Sequence, residues 1–250
     1  MPMRTFVFLC FLAVSAALQA QVAVVNGASF RAGQPVTAGS WVSAFGGFMG
    51  VATMQAASLP LPTDLGGVTV TVDGVAAPLN YVSDTQINFL IPLEVTPGLR
   101  GVAVTTAQGT LNGEVRVINA APGLFQQDTA EPPRGAIQNQ DFSENHSTRP
   151  AIRGQAIILY ATGPGAFNQQ IAIGSAAPAE EPLVRTQSTP QVFIGGVEAE
   201  VQFSGLAPNF AGLWQINAIV PDLPFLFGRL PVVVFMNGVD SNEVTVHVAQ

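Results

Sequence analysis

The feature that most constrains this chain is that much of it is written twice. Leu65-Gly66-Gly67-Val68-Thr69-Val70-Thr71-Val72-Asp73-Gly74-Val75-Ala76-Ala77 reads like Pro190-Gln191-Val192-Phe193-Ile194-Gly195-Gly196-Val197-Glu198-Ala199, and Gln86-Ile87-Asn88-Phe89-Leu90-Ile91-Pro92 matches Gln215-Ile216-Asn217-Ala218-Ile219-Val220-Pro221. Upstream, Gly39-Ser40-Trp41-Val42-Ser43-Ala44-Phe45 pairs with Gly154-Gln155-Ala156-Ile157-Ile158-Leu159-Tyr160, and Ala23-Val24-Val25-Asn26 with Ala136-Ile137-Gln138-Asn139. Each copy closes on a Val-rich run, Val115-Arg116-Val117 and Val244-Thr245-Val246-His247-Val248. Two copies in the same order imply two tandem domains joined near Ala121-Pro122-Gly123. The second copy carries two insertions, residues 163–189 and 205–213. Residues 126–134 are polar and proline-bearing, so 122–135 reads as a linker or a hairpin.

Within each copy the residues alternate. Val68, Val70 and Val72 oppose Thr69, Thr71 and Asp73, while Val197, Ala199, Val201 and Phe203 oppose Glu198, Glu200 and Gln202. Period two with one apolar side is the pattern of antiparallel strands that face a core on one side. With 25 Gly and 19 Pro the chain is punctuated too often for long helices. The expectation is an all-β chain of two tandem immunoglobulin-like β-sandwich domains arising from an internal duplication, spanning 21–121 and 122–250.

The first twenty residues predict a signal peptide. Arg4 supplies a basic start, residues 6–14 an apolar run too short to span a bilayer, and Ala17 and Ala20 small residues for cleavage. Cleavage after Ala20 is the first choice and after Ala17 the alternative. Leu9 stands where a small residue would precede a lipidated Cys10. Cleavage removes Cys10, the only cysteine, so the mature chain would hold no disulfide or thiolate site. It also leaves eight arginines and no lysine against sixteen acids, a net charge near −8. Such a balance disfavours nucleic acid and anionic lipid. A secreted or periplasmic protein with no membrane insertion after cleavage is expected.

The order Gly39-x-x-Val42-x-x-Phe45-Gly46, Gly66-Gly67-Val68, then Gln-Ile-Asn before proline resembles the IPT/TIG branch of immunoglobulin-like domains. Leu159-Tyr160-Ala161-Thr162-Gly163-Pro164-Gly165, Ile194-Gly195-Gly196-Val197-Glu198-Ala199 and Phe203-Ser204-Gly205-Leu206-Ala207-Pro208 resemble, more closely, a C-terminal domain family expanded in secreted proteins of soil acidobacteria. So do Ala121-Pro122-Gly123-Leu124-Phe125 and Gln138-Asn139-Gln140-Asp141. The resemblance covers nearly the whole mature chain. It implies the sandwich fold, and it implies no activity, because that family has none established.

Chemistry-bearing residues are sparse. His146 and His247 lack a neighbouring histidine or a second carboxylate at metal-ligand spacing, and no nucleophile elbow or phosphate loop occurs. Asn139-x-Asp141-x-Ser143-x-Asn145 places oxygens alternately, as calcium loops do. It lacks the loop glycine and the closing glutamate, and Asx turns explain it without an ion. No cofactor is expected. Sixteen acids will include close pairs, so a carboxylate-dependent glycan hydrolase is one alternative.

The repeated Gln86/Asn88 and Gln215/Asn217 pairs are the leading candidate contacts. Each pair shares one strand face opposite an isoleucine. They could hydrogen-bond a sugar or peptide, or satisfy the backbone of a neighbouring loop; their duplication favours the structural role, since scaffold devices are copied with the scaffold. Tyr81 and Trp214 are the aromatics that could be exposed for a carbohydrate-binding module, whereas Trp41 and Tyr160 occupy equivalent, buried strand regions. Phe225 and Phe227 fall in a loop between Pro224 and Gly228 and could form an exposed apolar tip. The leading expectation is a non-enzymatic exported structural or interaction module that binds protein or polysaccharide.

Overall fold

The computed structural model describes residues 21–250, so the expected signal peptide over 1–20, with Arg4 and Cys10, lies outside the described residues. The described chain is all-β. The first half holds β1 (Gln21–Asn26), β2 (Trp41–Phe45), β3 (Met54–Gln55), β4 (Asp64–Leu65), β5 (Val68–Val72), β6 (Val75–Ala76), β7 (Leu79–Val82), β8 (Gln86–Leu90), β9 (Gly98–Thr106) and β10 (Gly109–Val117). The second holds β11 (Gly123–Leu124), β12 (Ile137–Asn139), β13 (Ala156–Thr162), β14 (Gln191–Ile194), β15 (Val197–Ala199), β16 (Val201–Leu206), β17 (Trp214–Ile219), β18 (Gly228–Met236), β19 (Val239–Asp240) and β20 (Val244–Val248).

The duplication is visible strand by strand. β1–β2, β2–β8 and β7–β8 in the first half recur as β12–β13, β13–β17 and β16–β17 in the second; β5–β6, β5–β9 and β9–β10 recur as β14–β15, β14–β18 and β18–β20. Even an irregularity is shared, because the edge strand slips register between Leu79 and Tyr81 in one copy and between Val201 and Phe203 in the other. The copies differ in closure. β1 pairs in parallel with β10 and fuses the first half into one continuous sheet, whereas the second half keeps two five-stranded sheets.

Alternation decides the cores. Val68, Val70 and Val72 of β5, with Val102 and Val104 of β9, meet Val42 and Ala44 of β2 and Ile87 and Phe89 of β8. The second core sets Val192, Ile194, Val232 and Val234 against Ile157, Leu159, Trp214 and Ile216. Each such side chain, fully buried, contributes about 1.5–3 kcal/mol, so both halves are held by apolar packing in immunoglobulin-like sandwiches. The first core ends at Val117 and the second begins at Ala120. Residues 123–124 are already a strand of the second sandwich, paired with β13. Gln126 bridges Gly135 and Gln127 N–H donates to Arg134 O, so residues 126–135 close as a hairpin.

Both insertions of the second copy lie against the first sandwich. Leu61 N–H donates to Gly174 O (2.9 Å), and Leu61, Leu90 and Ala211 form a buried cluster with Trp41 and Ile173 around them. Trp41, expected inside a strand core, instead stands half-buried at this seam. Its indole N–H donates to Ala211 O (3.1 Å) and its backbone N–H to Thr162 Oγ1 (2.7 Å).

Candidate functional site

The Gln-Ile-Asn strands, β8 and β17, carry the most regular polar arrangement. Period two turns Ile87 and Ile216 into the cores and leaves Gln86, Asn88, Gln215 and Asn217 half-exposed on the outer faces. Each glutamine Nε2 donates to the Oδ1 of its own asparagine, at 2.8 Å in the first copy and 2.9 Å in the second. Ser43 Oγ donates to Asn88 Oδ1 as its second partner, at 2.8 Å. The amides therefore bond to each other, and the expectation that they satisfy the backbone of a neighbouring loop is corrected. Their half-exposed amides lie on the outer faces, and the hydrogen bonds they make are to side chains.

Register places an aromatic on either side of each pair. Phe45 lies opposite Gln86 and Tyr81 opposite Asn88; Tyr160 lies opposite Gln215 and Phe203 opposite Asn217. The two quartets occupy equivalent positions, with different rings. In the second copy both rings are engaged. Arg185 sits over Phe203 at 4.9 Å from the ring centroid, and Tyr160 O–H donates to Gln138 Oε1 at 2.8 Å. Tyr160 is half-exposed on the outer face, not buried in the core; partial burial raises its phenol pKa above the ordinary value. In the first copy Tyr81 O–H has no partner among the described residues, and Gln55, opposite Tyr81 on β3, is exposed.

Trp214 is corrected as a contact residue. It is fully buried, and its Nε1–H donates to Ser204 Oγ at 2.9 Å, because the odd positions of β17 face outward and the even ones inward. Phe225 and Phe227 are exposed at 64% and 49%, while Leu226 between them is buried. The loop thus presents two rings at the end of the second sandwich, anchored by Leu226, whose carbonyl accepts from Arg153.

A cleft of about 580 Å³ opens at the seam between the sandwiches. Thr37, Glu94 and Asn119 line it from the first half, and Phe167, Gln169 and Gln170 from the first insertion. Sequence reading missed Phe167 and its glutamines. The only signal was that residues 163–189 have no counterpart in the first copy.

The fold brings His146 and His247, 101 residues apart, to 6.4 Å between ring centroids. The expectation that neither histidine has a histidine nearby held along the chain and fails in space. Burial lowers the His247 pKa, helped by Arg229, His146 and Arg134. His146 Nδ1 lies 3.2 Å from Thr148 Oγ1 and 3.4 Å from Ser147 Oγ, inside one exposed turn. The Asn139–Asn145 loop spends its side-chain oxygens on protein groups: Asn145 Nδ2 donates to Asn139 Oδ1 (2.9 Å), Ser143 Oγ to Asp141 Oδ1 (2.6 Å), and His247 N–H to Asn145 Oδ1 (2.7 Å). That hydroxyl holds the Asp141 carboxyl below its usual pKa. Of the carboxylates, Glu181 accepts from Leu183 N–H and pairs with Arg185 (3.0 Å), and Glu198 accepts from Gln191 Nε2 (3.1 Å).

No protein-family model matches the chain, and no curated protein matches it in sequence. Among solved structures, similar chains include SGBP-B of the Bacteroides ovatus mixed-linkage glucan utilization locus, in complex with a mixed-linkage heptasaccharide (14% identity, 86% of this chain, 43% of that one, TM-score 0.34). SGBP-B from a complex xyloglucan utilization locus in Bacteroides uniformis is another (11% identity, 92% of this chain, 49% of that one, TM-score 0.29). The titin Ig tandem A164-A165 is a third (9% identity, 85% of this chain, 89% of that one, TM-score 0.24). This chain spans under half the length of the two Bacteroides proteins. At scores this low the likeness carries no functional argument.

Proposed function

We propose that the chain is a non-enzymatic exported binding module that holds a neutral polysaccharide at the seam between its two sandwiches. The cleft carries this reading. Ligand sites favour concave seams between domains with a few placed polar groups on apolar walls. Here Phe167 offers a ring, and Gln169, Gln170 and Asn119 offer uncharged donors and acceptors. Glu94 is the only carboxylate lining the cleft, whereas the usual glycoside hydrolysis needs two flanking the scissile bond. The serine–histidine contact at Ser147 is a 3.4 Å approach between adjacent residues in an exposed turn, and the same Nδ1 is shared with Thr148 Oγ1 at 3.2 Å, which leaves that nitrogen engaged within the turn. The resemblance to the acidobacterial C-terminal domain family agrees with a secreted module.

Electrophoresis of the full chain through gels cast with a β-glucan, a xylan or a galactomannan tests this. Retardation is expected in at least one gel. Phe167→Ala with Gln170→Ala should weaken it about tenfold, worth about 1.4 kcal/mol. Reducing-sugar release from the retarding polysaccharide, or no retardation in any gel, would refute the proposal. A second reading rests on Phe225 and Phe227, whose exposed rings suit a protein partner. Phe225→Ser with Phe227→Ser would then abolish capture of that partner and leave polysaccharide retardation intact.

A further inference from the structure

The outer face of the first sandwich carries unused recognition groups in one row. From edge inward, β3, β7, β8 and β2 are neighbours, and their registers set Gln55 opposite Tyr81, Tyr81 opposite Asn88, and Gln86 opposite Phe45. Directly opposite residues of an antiparallel pair project to the same side. Adjacent strands lie about 4.8 Å apart, so Tyr81 and Phe45 are separated by roughly 10 Å across the sheet with the amide pair between them.

The hydrogen-bond inventory shows what remains free. Gln86 Nε2 and Asn88 Oδ1 are spent on each other, and Ser43 also uses Asn88 Oδ1. Gln86 Oε1, Asn88 Nδ2, the Tyr81 hydroxyl and the Gln55 amide have no side-chain or backbone partner among the described residues. Among the described residues no buried side-chain polar atom is unsatisfied, so these free groups are held towards solvent. The internal Gln–Asn bond fixes one acceptor and one donor side by side, which matches a vicinal diol whose hydroxyls each donate and accept. Aromatic rings on both sides suit the C–H faces of pyranose rings. None of Gln55, Tyr81, Gln86, Asn88 and Phe45 carries a charge, which points to an uncharged ligand.

The second copy is a built-in contrast. Its equivalent quartet is Tyr160, Gln215, Asn217 and Phe203, but Arg185 covers the Phe203 ring and Gln138 occupies the Tyr160 hydroxyl. Duplication alone would have left the two faces alike. In the first copy Phe30, itself half-exposed, tilts against Phe45 at 6.3 Å between ring centroids, while the Tyr81 hydroxyl and the free amide groups have no partner among the described residues.

We propose that the Gln55–Tyr81–Asn88–Gln86–Phe45 face of the first sandwich is a second binding surface, for two consecutive pyranose residues of a neutral polysaccharide. It rests on the polysaccharide reading given above but uses none of the cleft residues. The same gels separate the two. With the full chain, Gln86→Ala with Asn88→Ala should weaken retardation at least tenfold. Asn88→Asp, which keeps the shape and both accepted bonds but replaces the free donor by an acceptor, should weaken it several-fold. Tyr81→Phe should weaken it less than Tyr81→Ala, and Gln215→Ala with Asn217→Ala should leave it unchanged within twofold. Wild-type retardation that survives undiminished in both Asn88→Asp and the Gln86/Asn88 double variant overturns this surface while leaving the cleft standing. No retardation of the wild type overturns both.

Discussion

His247 shows how one side chain acquires a property that its strand position does not announce. It occupies an alternating strand, β20, where it reads as an ordinary outward residue. Burial is the leading cause, since it disfavours the charged imidazolium, and Arg229 on β18, His146 on the loop and Arg134 on the hairpin add to it against the opposing charge of Asp128. Its folded pKa is therefore below the unfolded value of about 6.5. Between the two values the unfolded chain binds more protons, so stability rises with pH. The contribution is complete above about pH 6.5 and is lost as pH falls through the folded pKa. The melting temperature should drop on going from pH 7.5 to 5.0, and His247→Gln should flatten that slope. The carboxyls of Asp128, Asp141 and Glu181 are also held below their ordinary pKa, so their stabilisation too is lost as pH falls, but only in the more acidic range where carboxylates take up protons. An unchanged slope in His247→Gln would refute the assignment. At the same scale Asn26 and Asn139 repay their duplication. Both are buried at the end of the opening strand, where Asn26 accepts from Ala28 and Ser29 N–H and Asn139 binds Ser143 and Arg149. Each organises the loop that follows it.

At the scale of elements, the hairpins were readable and the crossing points were not. Asp73-Gly74, Gly195-Gly196 and Asn237-Gly238 all take positive φ at both central positions, the type I′ geometry that such dipeptides favour between antiparallel strands. The alternating run from Val197 to Phe203 looked like one strand. It is two, because the chain leaves one sheet after Ala199 and joins the other at Val201, and alternation continues through the crossing. Within the second sandwich, the docking of the segment that enters β11 onto the end of β13 depends on a close backbone approach at Gly163, whose added Cβ would lie 1.9 Å from Ala121 O, with φ +81°. Gly154 has a similar φ of +75° and open space around it. Gly163→Ala should therefore cost well above the roughly 1 kcal/mol of an αL alanine, and Gly154→Ala about that amount. Chemical denaturation of both variants measures the difference; equal losses would show that the approach to Ala121 is relaxed at no cost.

For the molecule as a whole, the two cores set where the chain divides. The sequence repeat suggested a join at residues 121–123, yet Ala120 and Leu124 are packed in the second core, and Leu124 is clamped by Asn242, which accepts from its N–H (2.8 Å) and donates to its carbonyl (2.9 Å). A fragment starting at Asn119 should melt cooperatively. One starting at Gly135 loses the burial of Leu124 and leaves the buried Asn242 amide without partners, together about 3 kcal/mol or more. Circular dichroism melts of the two fragments decide this, and equal stability would contradict the clamp. Leu90 and Trp41 of the first half would in turn be uncovered by separation, so the intact chain should melt above either fragment.

What the amino-acid sequence determined by itself was everything that repeats over short range. Period-two alternation specified strands and their inward faces, Gly-containing dipeptides specified the hairpins, and the doubled Gln-Ile-Asn specified two equivalent outer positions. Tertiary structure alone decided what covers those faces. Alternation distinguishes two sides of a strand and is silent on which side another element will occlude, so Trp214 became core while Tyr160 came to the surface. The seam, the cleft with Phe167, the meeting of His146 with His247, and the different capping of the two equivalent aromatic faces all join positions separated in sequence. Such contacts arise only once packing has met the entropy of closing long loops, and no local pattern records them.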